Sequence, residues 1–215
     1  MNDSTSCDIQ IAITGSGGAG SITAGELLLS LAGKNGCFGI MRRSFGPQIR
    51  GGEAAALVRI GHLPIECMSD SFDLWLALDW QNADRFADEI ALRPESLIIA
   101  DPAAGAIPDR ITDLGLVIIE IPMKALAKEV ELGRPNMVAL GLLTHWLDFC
   151  GDEAGRLIEH VFSRKGADIV DGSLAAFNKG FTEPVIIDAR EAHGGPGSCD
   201  RENSGRRWDL SGNEG

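Results

Sequence analysis

Short apolar and β-branched runs recur along this chain, each followed by room for a helix, and that rhythm restricts the fold more than any single motif does. The runs cover residues 9–14, 38–42, 54–60, 73–79, 96–101, 117–122 and 185–188. Between them, residues 21–32, 81–92, 123–132, 136–150 and 152–165 repeat apolar side chains three and four apart, the spacing of one helix face. Strands alternating with helices predict βαβ units, and hence an α/β class: a three-layer αβα domain with a mainly parallel sheet. Residues 136–150 are apolar on nearly every face, which predicts a helix central to the core or part of a subunit interface.

The 215 residues, 44% hydrophobic and 23% charged, suffice for one good-sized core. Nineteen basic against 31 acidic side chains leave a formal charge of −12, which opposes the phosphate neutralisation on which nucleic-acid binding depends. Nucleic acid and anionic membrane are therefore not expected as partners. No apolar run reaches the roughly 18–20 residues of a membrane span. The five cysteines, Cys7, Cys37, Cys67, Cys150 and Cys199, stand far apart without a CxxC or a secretory leader. They predict a reduced, cytoplasmic protein with no iron–sulfur cluster of its own, and Cys37 and Cys67 read as buried apolar residues. His62, His145, His160 and His193 are too scattered to predict a metal set, and His145 reads as a satisfied core or interface histidine. After Asp188, glycine, proline, serine and charges run without periodicity. A domain over residues 1–188, a flexible linker over 189–207, and a following domain start or tail over 208–215 are expected.

The first strand runs into Gly-Ser-Gly-Gly-Ala-Gly and then into a helix beginning near Ser21. Gly15, Gly17 and Gly20 fit GxGxxG, and with Gly18 they free backbone N–H groups to approach an anion at a helix N-terminus. Where an NAD site carries an acidic residue, this chain has Arg42 and Arg43. Such a pair suits a ribose phosphate, as in NADPH or the 3′-phospho-ADP of coenzyme A. The glycines are equally explained by close helix–strand packing. A second cluster runs from Arg42 to Gly52 and holds Arg42, Arg43, Arg50, Gly46, Gly51 and Gly52. In an acidic protein it forms a local positive site for phosphate or carboxylate, or a subunit contact with its arginines in ion pairs. Asp79 and Asp101 end strands, where α/β sheets place ligands, though each also suits a turn or a helix cap. Neither a GxSxG elbow nor a papain-like cysteine context is present.

These motifs occur together in a known order. The glycine loop with Ala24-Gly25-Glu26-Leu27-Leu28 is followed by Phe45-Gly46-Pro47 and Arg50-Gly51-Gly52, then by Asp70-Ser71-Phe72-Asp73-Leu74-Trp75-Leu76-Ala77-Leu78-Asp79. Ile121-Pro122, then Arg134-Pro135-Asn136-Met137-Val138-Ala139-Leu140-Gly141, and Phe162 with Lys165 follow. Over about residues 8–182 the chain resembles the gamma subunit or domain of the 2-oxoacid:ferredoxin (acceptor) oxidoreductases. It departs from the family at Asp171-Gly172-Ser173 and at Ala19, where asparagine and glutamine are common. Ser211-Gly212-Asn213-Glu214 resembles the opening of the alpha domain in fused gamma–alpha members.

The resemblance implies oxidative decarboxylation of a 2-oxoacid, with 2-oxoglutarate the first choice, to an acyl-CoA with electrons passed to ferredoxin. It also implies that thiamine diphosphate, magnesium and the iron–sulfur cluster belong to alpha and beta partners, in a dimer of the assembled unit. No catalytic residue or metal ligand is then expected on this chain. Its expected contribution is an assembly surface and a coenzyme A contact, drawn from Gly15, Gly17, Gly18, Gly20, Arg42, Arg43, Arg50, Gly51 and Gly52. A stand-alone NADP-binding oxidoreductase and a regulatory nucleotide-binding module are the alternatives.

Overall fold

The computed structural model describes residues 8–46, 52–81 and 83–193. In β1 (Asp8–Gly15) every residue after Asp8 is buried, so both faces of this strand are covered. α1 (Ser21–Lys34) turns Ala24, Leu27, Leu28 and Leu31 toward it. β2 (Phe38–Phe45) and β3 (Ala54–Gly61) form an antiparallel pair. β4 (Phe72–Ala77) follows, then a 3-10 turn at Ala83–Phe86, β5 (Leu92–Ala100), the short α2 (Asp109–Thr112) and β6 (Val117–Glu120). The rest is helical: α3 (Met123–Lys128), α4 (Pro135–Trp146), α5 (Gly151–Phe162), α6 (Ala167–Phe181) and α7 (Pro184–His193).

The strand order is β2-β3-β1-β4-β5-β6. β1, β4, β5 and β6 pair in parallel, whereas β3 is antiparallel to both β1 and β2. Only β3 is reversed, so the expected mainly parallel α/β sheet is what forms. Because of that reversal, β3 starts at the edge where the other five strands end. Gly15 lies opposite Ala54, and Ala54 opposite Phe45. The glycine loop, the β2–β3 connection and the loops leaving β4, β5 and β6 thus gather at one end of the sheet.

Period-two alternation divides the core. Ile11, Ile13, Val58, Ile60, Leu74, Leu76 and Ile99 face α1 and the C-terminal helices. Ala12, Leu57, Trp75 and Ile98 face the other way and are covered by Phe86, Ile90 and Ile111. On that second face the helical layer is thin. The helix expected over residues 81–92 is a single 3-10 turn, because Ala83, Phe86 and Ile90 reach the sheet from successive turns as readily as from a helix. The strand expected over 185–188 is instead part of α7: Pro184 presets the first helical φ, and Ile186 and Ala189 pack into the helical layer. α6 was not expected at all, since Gly172 and Gly180 dilute its periodicity.

α4 resolves the choice left open for its apolar stretch. It packs against α1, α3, α5, α6 and α7, and Val138, Ala139, Leu142 and Leu143 are fully buried. His145 meets Phe181 edge-on at 5.4 Å, a packed histidine as expected. Cys67, expected inside, is exposed in the connection between β3 and β4. Cys37 is buried, as expected. α7 continues past residue 188 to His193; the remainder of the expected linker and the piece over 208–215 lie outside the described residues. Among the described residues no helix is long and apolar enough to cross a membrane.

At the opposite end of the sheet Arg59 grips both carboxylate oxygens of Asp8, its Nε donating at 2.9 Å and one terminal nitrogen at 2.5 Å. This hydrogen bonding holds the Asp8 carboxyl below its ordinary value of 3.8. A carboxyl lowered in the folded state contributes stability above its unfolded pKa and loses it as pH falls through the folded value. Asp8→Asn is therefore expected to lower the melting temperature near neutral pH and to approach the parent as the pH falls below the ordinary carboxylate range. Parallel melting curves from neutral to acid pH check this; a constant difference between the two would refute it.

Candidate functional site

The glycine loop leaves β1 at the position where the chain order reverses, with β3 on one side and β4 on the other. Open α/β sheets bind ligands at such a place. Gly15 closes the strand, Gly17 and Gly18 are exposed at the turn, and Gly18 takes φ +86°. Gly20 is the N-cap of α1 at φ +88°, a conformation that disfavours other residues. A side chain there would also collide with Asn136, whose amide nitrogen donates to the Gly20 carbonyl at 3.3 Å. Asn136 belongs to the first turn of α4. Two helix N-termini therefore meet over Gly20, and both direct partial positive charge toward the same end of the sheet.

One carboxylate limits that field. Asp79 accepts from the Ser16 hydroxyl at 3.1 Å and from the Gln81 N–H at 2.7 Å, tying the glycine loop to the end of β4. Asp101 is buried and accepts from the Ala103 N–H at 2.7 Å and the Lys124 N–H at 2.5 Å. It therefore serves as the cap of α3 and is not turned toward a ligand.

The structure does not bring Arg42 and Arg43 together. They follow one another on β2 and so point to opposite faces. Arg43 pairs with Glu26 of α1 at 2.5 Å, and Arg42 pairs with Glu89 at 3.3 Å across the other face. Both are exposed and both already hold carboxylates of this chain. Arg50 and Gly51 lie outside the described residues. Gly52 is half-buried next to Glu53, at the neck of the β2–β3 connection and beside the glycine loop: Ser21 at the start of α1 donates to the Ala54 carbonyl at 3.0 Å. Sequence reasoning passed over Glu53 and Arg85, which pair at this neck, and the contact of Asn136 with Gly20. The available signals were a lone acidic residue directly after Arg50-Gly51-Gly52 and the Arg134-Pro135-Asn136 helix start.

Among the described residues no three His, Cys, Asp or Glu side chains are grouped to hold a metal ion. Backbone N–H groups and helix N-termini suit recognition of an anionic or hydrogen-bonding group. No nucleophile with an adjacent base accompanies them in the described site.

Fold and site together define an open α/β domain that presents a glycine loop and a hairpin at the switch point of its sheet. Residues 10–183 match the family of pyruvate ferredoxin/flavodoxin oxidoreductases, and the chain belongs to that family. The chain is 28% identical over 177 residues to the 2-oxoglutarate synthase subunit KorC of Methanocaldococcus jannaschii, covering 80% of this chain and 91% of that one. A solved 2-oxoglutarate:ferredoxin oxidoreductase of Magnetococcus marinus, with 2-oxoglutarate, coenzyme A and succinyl-CoA bound, matches 85% of this chain at 28% identity and a TM-score of 0.71. This chain spans 31% of that longer one. The gamma subunit of a keto/oxoacid ferredoxin oxidoreductase from Geobacter sulfurreducens shares the fold, with 24% identity, a TM-score of 0.63 and coverage of 84% of this chain and 99% of that one.

Proposed function

We propose that this chain is the gamma component of a cytoplasmic oxidoreductase that converts 2-oxoglutarate and coenzyme A into succinyl-CoA and carbon dioxide, passing two electrons to ferredoxin. The likeness to the 2-oxoglutarate synthase subunit over nearly its whole length carries this reading. Alpha and beta partners supply thiamine diphosphate, magnesium and the iron–sulfur cluster. This chain contributes docking surface and one side of the coenzyme A seat. Gly15, Gly17, Gly18 and Gly20 line that seat, and Arg50, Gly51 and Gly52 are, from the sequence, its further contacts. Arg42 and Arg43 brace β2 through their carboxylate partners. A stand-alone NADP reductase is not favoured, because the two arginines that suggested a ribose phosphate stand on opposite faces.

The test is co-expression with alpha and beta parts and assay of ferredoxin reduction dependent on 2-oxoglutarate and coenzyme A. Turnover of pyruvate but not of 2-oxoglutarate would defeat the substrate assignment. In the assembled enzyme, Arg50→Ala is expected to raise the KM for coenzyme A about 10- to 150-fold, the value of a charge-assisted contact of roughly 1.5–3 kcal/mol. An unchanged KM with intact assembly would remove Arg50 from the seat.

A further inference from the structure

We propose that the glycine loop and Asp79 together receive the amide-bearing arm of coenzyme A and not its diphosphate, the loop donating to an amide carbonyl and Asp79 accepting the amide N–H. The inference rests on the coenzyme A reading given above and names the part of that molecule the loop holds.

The loop is fixed on the end of β4. The Leu78 N–H donates to the Thr14 carbonyl at 2.8 Å, and the Ala19 N–H turns back to the Ser16 carbonyl at 2.9 Å. A Cβ on Gly15 would stand 2.9 Å from that of Ala19 and 3.3 Å from that of Leu78, so strand end and loop are in close contact. The Ser16 hydroxyl then donates to Asp79 Oδ2 at 3.1 Å, which ties the carboxylate to the residue before the exposed Gly17 and Gly18. Among the described residues the N–H groups of Gly17 and Gly18 have no acceptor.

Donors and an acceptor therefore stand together. Asp79 takes one bond on each oxygen, from Ser16 on Oδ2 and from the Gln81 N–H on Oδ1 at 2.7 Å, whereas a carboxylate has about four acceptor sites. Its full negative charge offsets the partial charges, roughly half a unit each, that the N-termini of α1 and α4 direct at the loop. A diphosphate would meet this carboxylate as a like charge. A secondary amide meets both needs, because its carbonyl accepts from the loop and its N–H donates to Asp79. Coenzyme A carries such amides in the arm between its diphosphate and its thiol.

The two placements predict opposite signs for one substitution. In the assembled oxidoreductase, Asp79→Asn is expected to raise the KM for coenzyme A about 3- to 10-fold, more than it changes kcat. The KM for the 2-oxoacid stays as in the parent. Ser16→Ala leaves the carboxylate but unties it from the loop, and should raise the KM for coenzyme A about 2- to 5-fold. Gly18→Val cannot keep φ +86° without strain and meets only open space, so it disturbs the loop alone and is measured alongside. Size-exclusion chromatography reports assembly of each variant. A KM for coenzyme A that falls in Asp79→Asn puts the diphosphate at the loop and overturns the inference. A flat response to Asp79→Asn and Ser16→Ala while Gly18→Val raises the KM overturns this inference alone. A flat response in all three overturns the coenzyme A reading and this inference with it. Equal changes in kcat and in the KM of both substrates would mean a general structural role for Asp79, and also overturn it.

Discussion

Gly180→Ala is expected to cost about 3 kcal/mol or more, because the added methyl has only backbone to meet. α4 and α6 cross at two glycines. A Cβ on Gly180 would collide with the Val138 carbonyl oxygen and lie 2.8 Å from its carbon, and one on Gly141 would collide with the Phe177 carbonyl and come within 2.6 Å of the Phe181 N–H nitrogen. Backbone atoms in the middle of two helices cannot rotate away, so the helices must separate. For a chain of this length the melting temperature should fall by roughly 6–12 °C. Displacement of α4 also moves Asn136 off Gly20, and the glycine loop should loosen with it. Gly33→Ala makes the same chemical change in α1, where a Cβ meets nothing within 4 Å. There a gain of about 0.5–1 kcal/mol is expected from helix propensity. Differential scanning calorimetry of the two variants checks the pair; a Gly180→Ala protein melting within about 2 °C of the parent would show that the crossing is not as close as drawn.

Asp101→Ala is the second large effect. The carboxylate is 1% exposed and serves two backbone donors at once, Ala103 in its own turn and Lys124 in the first turn of α3. α3 begins after Pro122 and has no side-chain cap of its own, so the residue at the end of β5 performs that task from across the sheet edge. Truncation leaves two N–H groups without an acceptor, at about 1–3 kcal/mol for each one that stays buried, and a total loss of roughly 2–4 kcal/mol is expected. Asp101→Asn keeps one acceptor and should fall between. Urea unfolding measures both. A destabilisation below about 0.5 kcal/mol for the alanine variant would mean that water replaces the carboxylate.

Much of the fold was legible because burial leaves a period. The isoleucines of β1, the leucines of α1 and the uniformly apolar α4 announce themselves by what they hide. Legibility failed where two structures share one spacing. Ala83, Phe86 and Ile90 fit a helix and also fit the turns that form, and Pro184-Val185-Ile186-Ile187 fits a strand until Ala189 is seen packing on the same side as Ile186. α6 was hidden by Gly172 and Gly180, whose missing side chains are themselves the packing feature.

The site divides along the same line. Glycines after a strand and before a helix are local, so the loop over residues 15–20 could be read directly. Arg42 and Arg43 are adjacent in sequence, yet β-strand alternation sends them to opposite faces, and only the positions of Glu26 and Glu89 show where they end. The Glu53–Arg85 pair joins residues 32 apart and Asn136 reaches Gly20 across 116. The linear chain determined the class of fold, the glycine loop and the family likeness, since these rest on local spacing and motif order. The sheet order, with β3 alone reversed, decided which loops share an edge and which charges find partners, because such contacts exist only once distant segments pack.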